Sequence, residues 1–157
     1  MSSSRHTILL VEDNPDDVLN CKRVLNKTNL GKPVQVVSRG EEAIAYLNGQ
    51  GEYGERRAFP IPSLIFLDLK LPGLSGFEVL TWIRQQTRFH RIQVVVLTGS
   101  RHTIDIYRAY ELGANSFLVK PVRLEGLSGL TKTLNLGWLV IKELQKVASA
   151  TDTPSAL

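Results

Sequence analysis

Short apolar runs alternate with amphipathic stretches along the whole chain. Thr7–Val11 (TILLV), Ser63–Asp68 (SLIFLD) and Ile92–Thr98 (IQVVVLT) are nearly continuous in apolar residues. That is the pattern of strands buried on both faces. Pro33–Ser38 (PVQVVS) and Ser116–Val119 (SFLV) read as two shorter strands. A helix opens at Asn14. Asn14 suits the cap, Pro15 the first helical position, and Asp16 and Asp17 complement the dipole. Its spacing turns Val18, Cys21 and Leu25 inward. Glu41–Asn48 and Ser75–Gln86 give two more helices, the latter with Phe77, Leu80 and Ile83 inward. His102–Leu112 is a fourth, stopped by Gly113. The last helix starts at Leu124 and carries Leu127, Leu130, Leu134, Trp138, Ile141 and Leu144 at steps of three and four. It is expected to reach about residue 147, although Gly126, Gly129 and Gly137 each cost up to about 1 kcal/mol relative to Ala. Gly49–Pro62, rich in Gly, Pro and charge, is a loop longer than the ~2–6 residues usual between a helix and a strand.

Buried strands alternating with helices imply an α/β fold, a five-stranded parallel sheet wound with helices on both faces. Right-handed crossovers then bring every strand's C-terminal end to one edge, where such sheets bind ligands. A chain of 157 residues has room for one domain of this kind. The expected division is a tail at 1–5, a folded unit at 6–147 and a second tail at 148–157.

Composition narrows the setting. One cysteine excludes a disulfide framework and a Cys-rich zinc module, and Cys21 on an inward helical face reads as a small buried hydrophobe. No apolar run approaches the roughly 20 residues of a membrane helix, and Ile8–Val11 is too short for a signal peptide. A cytoplasmic protein without membrane contact is expected. The net charge of +4 comes from dispersed basic residues, with no run longer than two, as in Arg56–Arg57. Without a basic stripe or interleaved aromatics, direct nucleic-acid binding is not expected.

The chemistry lies at the strand ends. The first strand ends at Glu12–Asp13, the third at Asp68, the fourth at Thr98 and the fifth at Lys120. Three carboxylates, a hydroxyl and an ammonium thus converge on one edge. A hard cation such as Mg²⁺ accepts such oxygen ligands, and crowding of like charges should raise carboxylate pKa values in its absence. The set suits phosphoryl transfer to a carboxylate, since an Asp can act as nucleophile, with Lys120 as a compact positive charge and Thr98 as a hydrogen-bond donor.

These residues resemble a known family. Leu10–Asn14 (LVEDN), Asp68–Pro72 (DLKLP) with Gly76, Leu97–Gly99 (LTG) and Lys120–Pro121 together resemble a response-regulator receiver domain, the phospho-acceptor half of two-component signalling. The likeness spans roughly residues 5 to 147. It implies a flavodoxin-like (βα)5 sheet of strand order 2-1-3-4-5. It implies Asp68 as phospho-acceptor and Asp13 as a direct Mg²⁺ ligand. Glu12 would act largely through water, and the backbone carbonyl of Lys70 would be a further ligand. Thr98 and Lys120 would contact the phosphoryl group. Phe117 stands at the family's aromatic switch position, and the Lys120–Pro121 bond is expected to be cis. The loop after the second helix, with Gly51–Tyr53 and its prolines, and Trp138 further resemble small response regulators paired with bacterial phytochromes. The implied partner is a sensor histidine kinase, of bacteriophytochrome type under that narrower likeness.

Neighbouring features have plainer explanations. Asp16 and Asp17 are accounted for by the helix N-terminus. His6, His90 and His102 lack ligand spacing and read as surface residues. No Gly-rich phosphate loop follows the first strand. Lys70 and Ser100 flank the expected site and would tune phosphate lifetime.

The chain therefore reads as a stand-alone signalling protein and not a metabolic enzyme. One rival is a phosphate sink for a kinase serving another regulator. Another is a small phosphate-ester hydrolase, for which no general acid or substrate pocket is evident. In the switch reading, phosphorylation draws Thr98 toward the phosphoryl group and turns Phe117 inward. A long last helix whose apolar stripe outruns the sheet would then need a partner. The expectation is a homodimer through helix 4, strand 5 and helix 5.

Overall fold

A computed structural model describes residues 6–99 and 103–142, without the side chain of Thr103. Five parallel strands, β1 (Ile8–Val11), β2 (Gln35–Val37), β3 (Leu64–Asp68), β4 (Gln93–Thr98) and β5 (Ser116–Val119), pair in the order β2-β1-β3-β4-β5. Among the described residues one α-helix follows each strand: α1 (Pro15–Leu25), α2 (Gly40–Asn48), α3 (Gly76–Gln85), α4 (Thr103–Glu111) and α5 (Leu124–Thr133). This is the flavodoxin-like topology expected. Ser100 and His102, the tails at 1–5 and 148–157, and Leu144 lie outside the described residues.

Side-chain alternation splits the core into two layers. Ile8, Leu10, Leu64, Phe66, Val95 and Leu97 face α1 and α5. Leu9, Val11, Ile65, Leu67, Val94 and Val96 face α2, α3 and α4. Both faces are covered, so the apolar runs need no polar alternation. Chain direction reverses its progress across the sheet at β1, whose neighbours are β2 and β3. The crevice above the β1/β3 ends is therefore the topological switch point.

Helix starts follow local chemistry. The Asn14 side chain accepts the amides of Asp16 and Asp17 at 2.9 and 3.2 Å. Ser75 and Glu78 form a reciprocal capping box on α3. In α3 the deeply buried positions are Val79, Leu80 and Ile83, while Phe77 is only partly covered, beneath the Arg108 guanidinium at 4.2 Å.

The loop after α2 is ordered by its own residues. It contains a short turn at Gly51–Gly54. The Arg56 guanidinium donates to the carbonyls of Tyr46 and Leu47 in the last turn of α2 and to that of Phe59. Tyr46, Tyr53 and Phe59 pack as an aromatic trio, and the Tyr46 hydroxyl donates to the Pro60 carbonyl at 2.8 Å.

The last helix departs from expectation. It ends at Thr133 and not near residue 147. Asn135 takes φ 56°. Its amide reaches the Lys132 carbonyl, and the Leu136 amide reaches that of Thr131 at 2.8 Å. This pair of bonds is the Schellman closure, in which Asn can stand for Gly. The chain then folds back on the domain. Thr28 and Ile141 form an antiparallel bridge, and Asn29 exchanges hydrogen bonds with Val140 through both its amide and its side-chain oxygen. Leu136, Leu139 and Ile141 are buried in the α1/α5 layer, with Trp138 packed against it. The apolar stripe thus covers the domain's own underside, and the expected overhang is not there among the described residues.

Candidate functional site

Each strand-end residue arrives where its strand stops. Glu12 follows β1 and still donates its amide to the Val37 carbonyl at 3.0 Å, so the β1/β2 ladder fixes it. It is 1% exposed, and Asp68, the last residue of β3, is 3% exposed. Asp13 is exposed. Carboxylate oxygens of Glu12, Asp13 and Asp68 lie within 4.8 Å of one another. Thr98 ends β4 and is buried. Its carbonyl accepts the Lys120 amide at 2.7 Å, which ties the end of β5 to that of β4. The Lys120–Pro121 bond is cis.

Lys120 joins the acids. Its Nζ lies 3.1 Å from Glu12 Oε1, 3.2 Å from Asp17 Oδ2 and 3.4 Å from Asp68 Oδ1. The Lys70 amide also donates to Asp68 Oδ1, at 3.2 Å. Gly76 completes the support. Its amide donates to the Leu69 carbonyl at 3.0 Å, and a Cβ there would press on the Asp68 carbonyl. Glycine therefore lets α3 begin directly against the end of β3.

The electrostatics are those of buried, crowded acids. Burial is the main cause that pushes the Glu12 pKa up to about 7; the Asn14 amide on Oε2 opposes it, and the Asp68 charge adds to it. Desolvation thus leads, where the sequence suggested like-charge crowding. Burial alone would lower the Lys120 pKa, but Asp68, Glu12 and Asp17 outweigh it and hold the ammonium above the usual lysine value.

An open cleft of about 320 Å³ sits over these groups, lined by Asp68, Lys70, Thr98, Gly99, Asp105 and Lys120. Lys70 is exposed at its rim. Phe117 lies further back, half-buried, its ring edge-on to Tyr110 at 6.4 Å. Glu12, Asp13, Asp68, Lys70, Thr98 and Lys120, singled out by sequence, therefore gather at this edge, with Phe117 on the strand beside it. Two others were missed. Asp105 enters from the first turn of α4, and Asp17 contributes its carboxylate although the helix dipole already accounted for it. His6 is only partly at the surface. It is half-buried, accepts or donates at Ser63 Oγ through Nδ1, and stacks on Trp138, while His90 is exposed as expected.

The donor set is all oxygen, three carboxylates are close enough to share one ion, and one of them carries a pKa raised by burial. These residues fit a hard divalent cation. No helix among the described residues is long and apolar enough to cross a membrane.

Comparison with known proteins agrees with this geometry. A family model described as the response regulator receiver domain matches residues 8–132. Response regulator Rcp1 of Synechocystis sp. is 38% identical over 138 residues, covering 88% of this chain and 92% of that one. Among solved structures, the bacteriophytochrome response regulator AtBRR superposes with a TM-score of 0.75 at 41% identity, covering 85% of this chain and 94% of the other. The Mn²⁺-bound form of Rcp1 gives a TM-score of 0.69 at 38% identity, with the same coverage. With the fold shared and a match over most of its length, this chain belongs to the response regulator receiver domain family.

Proposed function

We propose that this chain is a single-domain response regulator that accepts a phosphoryl group on Asp68 from a sensor histidine kinase in the cytoplasm. The observation that carries the reading is Lys120, whose ammonium bridges Glu12 and Asp68 at the mouth of an open cleft. Glu12, Asp13 and Asp68, with the backbone carbonyl of Lys70, would hold Mg²⁺. When bound, the ion supplies positive charge that offsets the acids and the incoming phosphoryl oxygens.

The chain's own residues do the rest. An Asp68 oxygen attacks phosphorus, the O–P bond forms, and the N–P bond of phosphohistidine breaks. The histidine nitrogen leaves with the electron pair and takes up a proton. Lys120 meets the negative charge on the phosphoryl oxygens, and the Thr98 hydroxyl donates to one of them. Thr98 drawn forward leaves space that Phe117 fills, which alters the α4–β5–α5 surface.

Relatives named as bacteriophytochrome response regulators support a kinase of the phytochrome class as donor. The α4 face supports a homodimer through α4, β5 and α5. Ile104, Tyr107 and Tyr110 are 82%, 66% and 44% exposed there, an apolar patch that none of the described residues covers.

Acetyl phosphate with Mg²⁺ should add one base-labile phosphoryl group, mapped by mass spectrometry to Asp68. Asp68→Asn should abolish it, and labelling retained in that variant would refute the assignment. Sedimentation velocity with and without beryllofluoride tests the dimer, and Tyr107→Asp should shift it to monomer.

A further inference from the structure

The third partner of Lys120 is not part of the acid cluster. Asp17 sits in the first turn of α1, and its Oδ2 lies 3.2 Å from Lys120 Nζ, as close as Glu12 and closer than Asp68. The contact has a structural reason. Asn20, one turn further along the same face of α1, donates from Nδ2 to the Val122 carbonyl at 2.9 Å. Asp17 and Asn20 therefore grip the chain on both sides of Pro121. Asp16, its neighbour on the helix, has an exposed side chain turned to solvent and is not among the carboxylates that pair with Lys120.

We infer that Asp17 is a positioning residue for Lys120: it holds the ammonium partly away from Asp68 and so opposes the phosphorylated state. The inference rests on the reading of Asp68 as phospho-acceptor. An ammonium has three protons, and here three carboxylates share them. A phosphoryl group on Asp68 brings new oxygens on the cleft side. To serve them, Nζ must turn from α1 toward β3. Glu12 lies on the Asp68 side of this movement and keeps its contact, whereas Asp17 on α1 does not follow. A charge-assisted contact made only in the unphosphorylated state lowers affinity for the phosphoryl group by its own strength. The two side chains keep 17% and 28% of their surface exposed, which places that strength near the surface-pair range.

Beryllofluoride binding, followed by NMR in saturating Mg²⁺, tests this on the full chain. Asp17→Asn should bind beryllofluoride about threefold or more tightly and lose its aspartyl-phosphate correspondingly more slowly. Asp17→Glu should return toward the parent. Asp16→Asn removes the same charge from the same helix end without touching Lys120, and should stay near the parent. The Lys120 Nζ resonance of the ligand-free protein should move in Asp17→Asn and not in Asp16→Asn, a change that altered helix stability alone does not produce. Equal effects of Asp17→Asn and Asp16→Asn would overturn the inference and leave the phospho-acceptor reading intact. A parent that does not respond to beryllofluoride at all would overturn both.

Discussion

His6 and Trp138 stack with ring centroids 4.3 Å apart and planes within 10° of parallel. The contact joins the residue that leads into β1 to the segment that folds back after α5. Trp138 is thereby a structural residue of the monomer. Trp138→Ala should lower the unfolding free energy by about 2 kcal/mol, less than a fully buried aromatic because the ring is half-covered. Urea denaturation measures this, and sedimentation velocity should show the oligomeric state unchanged.

Glu12 makes stability depend on pH. Its pKa is about 7 in the folded chain against a reference of 4.5. Between those values the folded state holds a proton that the unfolded state has released. The stabilisation from this group is fully present below the reference value and is lost as pH rises through about 7. The metal-free parent should therefore lose stability across that window relative to Glu12→Gln, whose side chain does not titrate. Urea midpoints of the two chains at a series of pH values give the comparison; parallel curves would count against a buried, proton-holding Glu12.

Gly76→Ala should damage the site without changing any of its polar side chains. The added methyl meets the Asp68 carbonyl and the Leu69 Cα at 2.7 Å, both backbone. The end of β3 or the start of α3 must move, at a cost of about 1–3 kcal/mol. Slower labelling by acetyl phosphate together with a lowered urea midpoint is the expected result.

Cys21 should be inert in the native protein. Burial, aided by the charges of Glu12 and Asp17, pushes its thiol up to about 12, and its buried side chain lines a small apolar cavity with Val24, Leu25, Phe66, Val122 and Leu127. Iodoacetamide at neutral pH should leave it unmodified and should alkylate it fully in urea, as read by intact mass.

Much of this was legible in the chain itself. Strands that end in Glu12–Asp13, Asp68 and Thr98 announce both their burial and their edge, because a nearly continuous apolar run can stop at a polar group only where the sheet stops. The last helix was not legible for a specific reason. Leu134, Trp138 and Ile141 keep helical spacing across a point where the backbone has already turned. Burial, not helix, explains their apolar character, and the informative residue was Asn135, which accepts the left-handed conformation. Asp17 was hidden by sufficiency. A helix N-terminus accounts for an acid in its first turn, so nothing in the sequence called for the second partner, which comes from a strand more than 100 positions away. Asp105 was hidden in the same way, in the first turn of α4.

Arg56 gives the surface of the loop a sign its composition lacks. Glu52 and Glu55 balance Arg56 and Arg57 in formal count, two against two. The Arg56 guanidinium, however, is turned inward onto the carbonyls of Tyr46, Leu47 and Phe59. Glu52, Glu55 and Arg57 are exposed, so the rim shown to an approaching molecule is acidic by one charge. The inward guanidinium still cancels that excess at a distance, so on a chain of net charge +4 only a group in direct contact with the rim meets its carboxylates.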